Sequence, residues 1–263
     1  MQEGRWLERP WGRMRIWESG SGPTTVAIHG LGGSGRYFGG LSDELDGKLI
    51  APDLAGFGSS DVPSVHADRT LHLSDLDAVL PSDEPLSVIG FSAGAGLAAL
   101  WAARNPTRVR SLVLAGAPFP GDGNMDYREQ AESATPKTIR LVVHALQPIW
   151  PLLSRPIAAA TKFPREIVED FGKQSIPARA WTLWSAISDP EVVGELAPLQ
   201  TIGSRVLLIN SSDDHIVPLR NQDRWAQFFD PAVDVTRMTL GRGEHQFLLR
   251  GGSDAVADWL SAG

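Results

Sequence analysis

A mostly parallel central β-sheet flanked by helices, with an inserted helical cap, is the α/β fold class that this 263-residue sequence predicts. Three observations lead there. Short apolar runs alternate with helical patterns along most of the chain. The composition, 42% hydrophobic and 21% charged, is that of an ordinary folded domain, and the length suffices for one large continuous core. The alternation then stops between residues 118 and 198, where no convincing strand appears.

Taken in order, residues 4–9 and 12–18 read as two strands across the turn "RPWG", an antiparallel hairpin. The first well-marked buried strand is "TVAIHG", 25–30. "KLIAPD", "LSVIGF", "RSLVLAGA", "RVLLIN" and "VDVTRMTL" follow as further strands. Helical patterns stand at about 70–80, 93–104, 219–229 and 252–261. Strands alternating with helices imply a parallel sheet covered on both faces, with its chemistry at the carboxyl ends of the strands. The break carries Trp150, Trp181 and Trp184 among prolines and apolar residues, and reads as an inserted lobe. The expected division is a core of 1–117 and 199–263 with a helical cap at 118–198.

Composition removes several function classes. With no cysteine there can be no disulfide, thiolate metal site or cysteine nucleophile. A net charge of −7 with scattered basic residues argues against a nucleic-acid partner. The N-terminal stretch lacks the apolar core of a signal peptide, and no apolar run reaches the length of a membrane span, so no membrane partner and a cytoplasmic location are expected. No spaced ligand set such as His-Glu-x-x-His appears, and neither a metal nor a cofactor is expected. The sequence says nothing of oligomeric state.

The stretch "SVIGFSAGAGLAALWAARNP", 87–106, sets Ser92 between an apolar strand and an alanine-rich helix, with almost no turn between them. A serine there is forced into a strained backbone conformation, and Gly90, Gly94 and Gly96 relieve crowding against strand and helix. Such a turn lifts the hydroxyl clear of the sheet and aims the first N–H groups of the helix at the same place. The bare Gly-x-Ser-x-Gly pattern is weak by itself, and its context carries the reading.

That context resembles a serine hydrolase of the α/β-hydrolase superfamily over nearly the whole chain outside the insertion. "AIHGLGG" at 27–33 is similar to the family's oxyanion loop, "APDLAGFGSSD" at 51–61 to its next strand and loop, and "GFSAGAG" to its nucleophile elbow. "ARNPTRVRSLVLAGAP" resembles the following helix exit and strand, "DDHIVP" the acid loop and "GEHQFL" the histidine loop. The agreement in order makes the signal strong.

The resemblance implies roles. A serine hydroxyl needs a base, and the base a group to hold it. In the family's order of serine, acid and histidine, His245 is the base; His144 lies in the lobe, where a lone histidine is more often structural, and His215 sits on the acid loop as a residue near the pocket. Asp214, followed by "HIVP", fits the register of the acid; Asp213 is the alternative, otherwise a carboxylate capping the turn. Backbone N–H groups of Leu31 and Ala93 are the oxyanion donors by resemblance. His29 and Asp53 read as braces of their loops.

The implied function is cleavage of an ester, lactone or similar acyl bond through an acyl-enzyme on Ser92, with a small apolar or aryl ester as substrate. "GFSAGAG" resembles the elbow of cofactor-free haloperoxidases and arylesterases. Serine at the elbow counts against dehalogenases and epoxide hydrolases, which place aspartate there. Carbon–carbon bond hydrolases of ring-cleavage pathways stay open, although they often place asparagine where Phe91 stands; so does a non-catalytic binder or lyase on the same fold. Of Phe119, Trp150, Phe163, Phe171, Trp181 and Trp184, most are expected to pack the lobe and one or two to touch substrate. Arg179 reads as a solvated helix face.

Overall fold

The structure, a computed structural model, describes residues 4–81, 84–121, 149–161 and 163–262. Strands β1 (Arg5–Arg9) and β2 (Gly12–Ser19) form the N-terminal antiparallel hairpin. β2 pairs antiparallel with β4 (Lys48–Pro52), which lies parallel to β3 (Thr24–Ile28). β5 (Leu86–Phe91), β6 (Val109–Ala115), β7 (Arg205–Ser211) and β8 (Val235–Leu240) complete the parallel part. The resulting eight-stranded sheet has the order β1-β2-β4-β3-β5-β6-β7-β8.

Successive side chains of a strand point to opposite faces, and here both faces are covered. On one face Val26, Ile28, Val88, Leu112 and Leu208 pack against α2 (Arg69–Val79), α3 (Ala93–Arg104) and Trp225 of α8 (Arg220–Phe228). On the other, Ala27, Ile89, Val113, Leu207 and Ile209 meet a 3₁₀ turn at Gly35–Phe38, α1 (Gly39–Glu44) and α9 (Gly252–Ser261). The sequence pattern did not mark the short elements at 35–44, because six residues are too few for a helical period to emerge. α3 is buried along residues 93–103, which its small alanines and glycines allow by letting the helix sit close to the sheet.

Between β6 and β7, every regular element among the described residues is helical: α4 (Trp150–Thr161), α5 (Arg165–Phe171), α6 (Ile176–Leu183), a π turn at Trp184–Ser188, α7 (Glu191–Glu195) and a 3₁₀ turn at Ala197–Thr201. Residues 122–148 of the expected cap, His144 among them, lie outside the described residues. Charge pairs tie the segment to the sheet domain. Asp170 is buried and accepts from Ser34 Oγ at 2.7 Å, from Arg36 Nε at 2.8 Å and Nη2 at 2.6 Å, and from Lys173 Nζ at 2.8 Å. Against the upward push of burial, Arg36, Lys173 and Ser34 hold its carboxyl below the usual range. Arg69 of α2 makes a second tie, to Asp189 at 2.5 Å and to Glu195. Among the described residues no helix is long and apolar enough to cross a membrane.

Candidate active site

β5 ends at Phe91 and α3 begins at Ala93, so the chain must reverse within Ser92. Its φ of 54° and ψ of −124° are the strained conformation that the crowded turn predicts. The Ser92 N–H donates to the Ala115 carbonyl at 2.9 Å, fixing the turn against the end of β6. Gly94 makes the close approach possible: a Cβ there would stand 2.3 Å from the Ile28 carbonyl oxygen and 2.5 Å from that of His29.

The fold brings the side chains of Ser92, His245 and Asp214 together. His245 Nδ1–H donates to Asp214 Oδ2 at 2.8 Å, since an ionised carboxylate can only accept. The other ring nitrogen, Nε2, then accepts from Ser92 Oγ–H at 2.8 Å. Both carboxylate oxygens of Asp214 are engaged, Oδ1 accepting the Ile216 and Val217 N–H groups at 2.9 and 2.8 Å. Both Asp214 and His245 are buried. Phe91 stacks on Tyr37 at 4.7 Å between centroids, and its ring lies 5.1 Å from that of His245, so aromatic packing backs the imidazole.

Asp213 takes a different position. It is partly exposed, accepts from Ser211 Oγ, and receives the Glu244 N–H at 2.8 Å. His215 is exposed, as is Arg179.

The loop that follows β3 is braced as its sequence suggests. Leu54 N–H donates to His29 Nε2 at 3.0 Å, which leaves the proton on Nδ1 to bond the Gly30 carbonyl at 2.7 Å. Burial pushes His29 down to about 4, so it stays neutral. Asp53 accepts the Gly35 N–H, the Ser59 N–H and Trp17 Nε1. Burial is the largest influence on its carboxyl and raises it to about 6. Gly30 brings the loop against the elbow, with Ser92 Cβ 2.8 Å from where a Cβ of residue 30 would be. Ala93 opens α3, so its N–H belongs to the first turn, whose donors have no intrahelical acceptor.

A cavity of about 270 Å³ lies beside these loops. Gly30, Leu31 and Phe91 border it on the elbow side, and Gln246 and Leu249 on the side of His245. Trp150, Ile157, Phe163, Ile167, Val168 and Phe171 line it from the segment between β6 and β7. No charged side chain stands among the described lining residues. Three of the six aromatic residues singled out in the sequence, Trp150, Phe163 and Phe171, line the cavity. Phe119 packs edge-on to Trp225, and Trp181 stacks on His66 and meets Trp184 edge-on. Ile157, Ile167 and Val168 carried no local signal in the sequence, because apolar residues of a helical segment look alike whether they face a core or a cavity. Among the described residues no cluster of side chains suited to a metal ion occurs.

Comparison with known proteins adds the family. The family model for the alpha/beta hydrolase fold matches residues 23–249. The pimeloyl-[acyl-carrier protein] methyl ester esterase of Chromobacterium violaceum is 38% identical over 98 residues, 36% of this chain and 37% of that protein. The 2-hydroxy-6-oxo-2,4-heptadienoate hydrolase of Pseudomonas putida is 27% identical over 231 residues, 81% of this chain and 80% of that one. The chain spans only 30% to 37% of the length of the first curated relatives it matches. Among solved structures, the thioesterase domain from the curacin biosynthetic pathway superposes with a TM-score of 0.75 at 19% identity, covering 98% of this chain and 99% of that one, a likeness of fold.

Proposed function

The chain belongs to the α/β-hydrolase fold family, and from that premise we propose that it is a serine hydrolase cleaving an ester, lactone or similar acyl bond through an acyl-enzyme on Ser92. The observation that carries the reading is the continuous relay from Ser92 Oγ through His245 to Asp214, with both contacts at 2.8 Å. Ser92 Oγ attacks the acyl carbon while its proton passes to His245 Nε2. Asp214 holds the ring and stabilises its cationic form. The backbone N–H groups of Leu31 and Ala93 receive the oxyanion. The bond to the leaving oxygen breaks as His245 returns the proton to it, and a water activated by the same imidazole then releases the acid and restores Ser92.

Residues 118–198 act as the lid in this reading, and they set the substrate. A dry apolar cavity of roughly 150 Å³ is enough to hold benzene. The cavity here, about 270 Å³, fits an aryl or medium-chain acyl group without charge. A second reading, carbon–carbon bond hydrolysis, draws support from the likeness to the Pseudomonas putida hydrolase. The uncharged described lining favours the ester, since the substrate named in that relative carries a carboxylate.

Turnover of p-nitrophenyl acetate against a Ser92→Ala control tests the proposal, together with labelling by a fluorophosphonate. Hydrolysis is expected to vanish in the variant, and the intact mass of the native chain to rise by one phosphonyl group. Turnover that survives in Ser92→Ala, or an unchanged mass after long exposure, removes Ser92 as the nucleophile.

A further inference from the structure

Among the described residues two that are not glycine have a left-handed backbone, Ser92 and Glu244, and Glu244 immediately precedes His245. The φ of 51° at Glu244 is costly for a residue with a Cβ and persists only where the surroundings impose it. Asp213 imposes it. Its Oδ1 receives the Glu244 N–H at 2.8 Å and the Ser211 hydroxyl. The outer end of the Glu244 side chain meets Arg250 at 3.4 Å, an exposed contact worth little in water.

The acid loop and the histidine loop are thus joined by two successive rungs. The inner rung joins two buried side chains, Asp214 and His245. The outer one joins a side chain to backbone, Asp213 to Glu244, one residue earlier on each loop. We propose that Asp213 is a positioning residue: it holds Glu244 in its left-handed conformation and so keeps the His245 imidazole in register between Asp214 and Ser92. The inference rests on the acyl-transfer reading above. It gives the second carboxylate of "SSDDHIVP" a role distinct from that of the acid.

The role requires an acceptor at position 213 and no negative charge, which fixes the variants. Asp213→Ala is expected to lower kcat for p-nitrophenyl butyrate by about tenfold to a hundredfold, the loss that follows when a catalytic group is misplaced by about an ångström. KM stays within about twofold. Asp213→Asn, whose amide oxygen can take both hydrogen bonds, restores most of the lost kcat. In Asp213→Ala/Glu244→Gly the glycine adopts positive φ unaided, and part of the loss is recovered. A loop that was merely loosened would become worse with glycine.

The His245 Nδ1 proton, bonded to a buried carboxylate, should give a strongly downfield ¹H resonance that reads the geometry without turnover. It is expected to broaden or shift in Asp213→Ala and to remain in Asp213→Asn. An unchanged resonance and kcat in Asp213→Ala overturn the proposal, as does a double variant below the single one. Hydrolysis persisting in Ser92→Ala would instead overturn the acyl-transfer reading, and the resonance alone then decides the role of Asp213.

Discussion

Ser92 and its neighbours concentrate the tightest contacts of the site into a few atoms. At Gly94 an added methyl would meet two backbone carbonyls, neither of which can move without shifting β3 or its exit. Gly94→Ala is expected to destabilise by about 1–3 kcal/mol, the usual cost of overpacking, measured as a lower urea midpoint with an unchanged slope. For the proposed triad, Ser92→Ala and His245→Ala should each lower kcat by about 10⁵-fold or more and Asp214→Asn by about 10⁴-fold, because nucleophile and base act as a unit. A fully active Asp214→Asn beside an inactive Asp213→Asn would exchange the two aspartates. Ser92 was legible in the sequence because its constraint is local, a strand and a helix with no residues between them. The choice between Asp213 and Asp214 rested on register alone. What separates them, the bond to His245 on one side and to the Glu244 backbone on the other, spans 31 residues and leaves no local trace.

At the scale of elements, α5 is where the helical segment between β6 and β7 meets the loop that follows β3. Asp170 grips Ser34 and Arg36, while Phe171, next in sequence, lies over Gly32 and lines the cavity. Asp170→Leu should leave Arg36 without its main partner and lower stability by about 3 kcal/mol, readable in the same urea titration. Phe171→Ala should enlarge the cavity and move the optimum of a p-nitrophenyl ester series to longer acyl chains. Each one or two added methylenes are expected to raise kcat/KM about tenfold, at ~0.8 kcal/mol apiece, until the cavity is full. An optimum that stays put, or a shortest ester that remains best, would show that Phe171 does not bound the acyl site. The strands were readable because buried parallel strands are continuous apolar runs; "LSVIGF" and "RVLLIN" fall within a residue of β5 and β7. The helices between β6 and β7 are mixed in polarity, so the sequence marked that segment as helical from its lack of strands but not where each helix begins and ends.

The whole molecule should lose stability in mild acid. Burial lowers His29 to about 4 and His72 to about 3, both from 6.5. Below pH 6.5 the unfolded chain takes up protons at these imidazoles that the folded chain refuses, so their contribution is full above that pH and shrinks beneath it. Asp53, raised to about 6, works the opposite way and offsets one of them. A net loss of about 1.4 kcal/mol per pH unit is expected between pH ~6 and ~5. His72 Nε2 bonds Thr182 Oγ1 at 2.8 Å. His72→Gln keeps a donor for Thr182 and leaves one imidazole against one carboxyl, so the urea midpoint should become nearly flat with pH. A slope as steep as the native one would place the acid sensitivity elsewhere.

The order of the sheet has one more consequence, for the time at which chemistry can begin. β5 and its serine lie at the centre, whereas Asp214 and His245 follow β7 and β8, the last strands to be synthesised and the outermost on their side. A nascent chain that has folded as far as β6 carries the turn at Ser92 but neither the proposed base, His245, nor the proposed acid, Asp214. The growing polypeptide is thus expected to be inert towards esters until residue 245 has left the ribosome, and refolding followed by activity should lag behind the recovery of helix and strand.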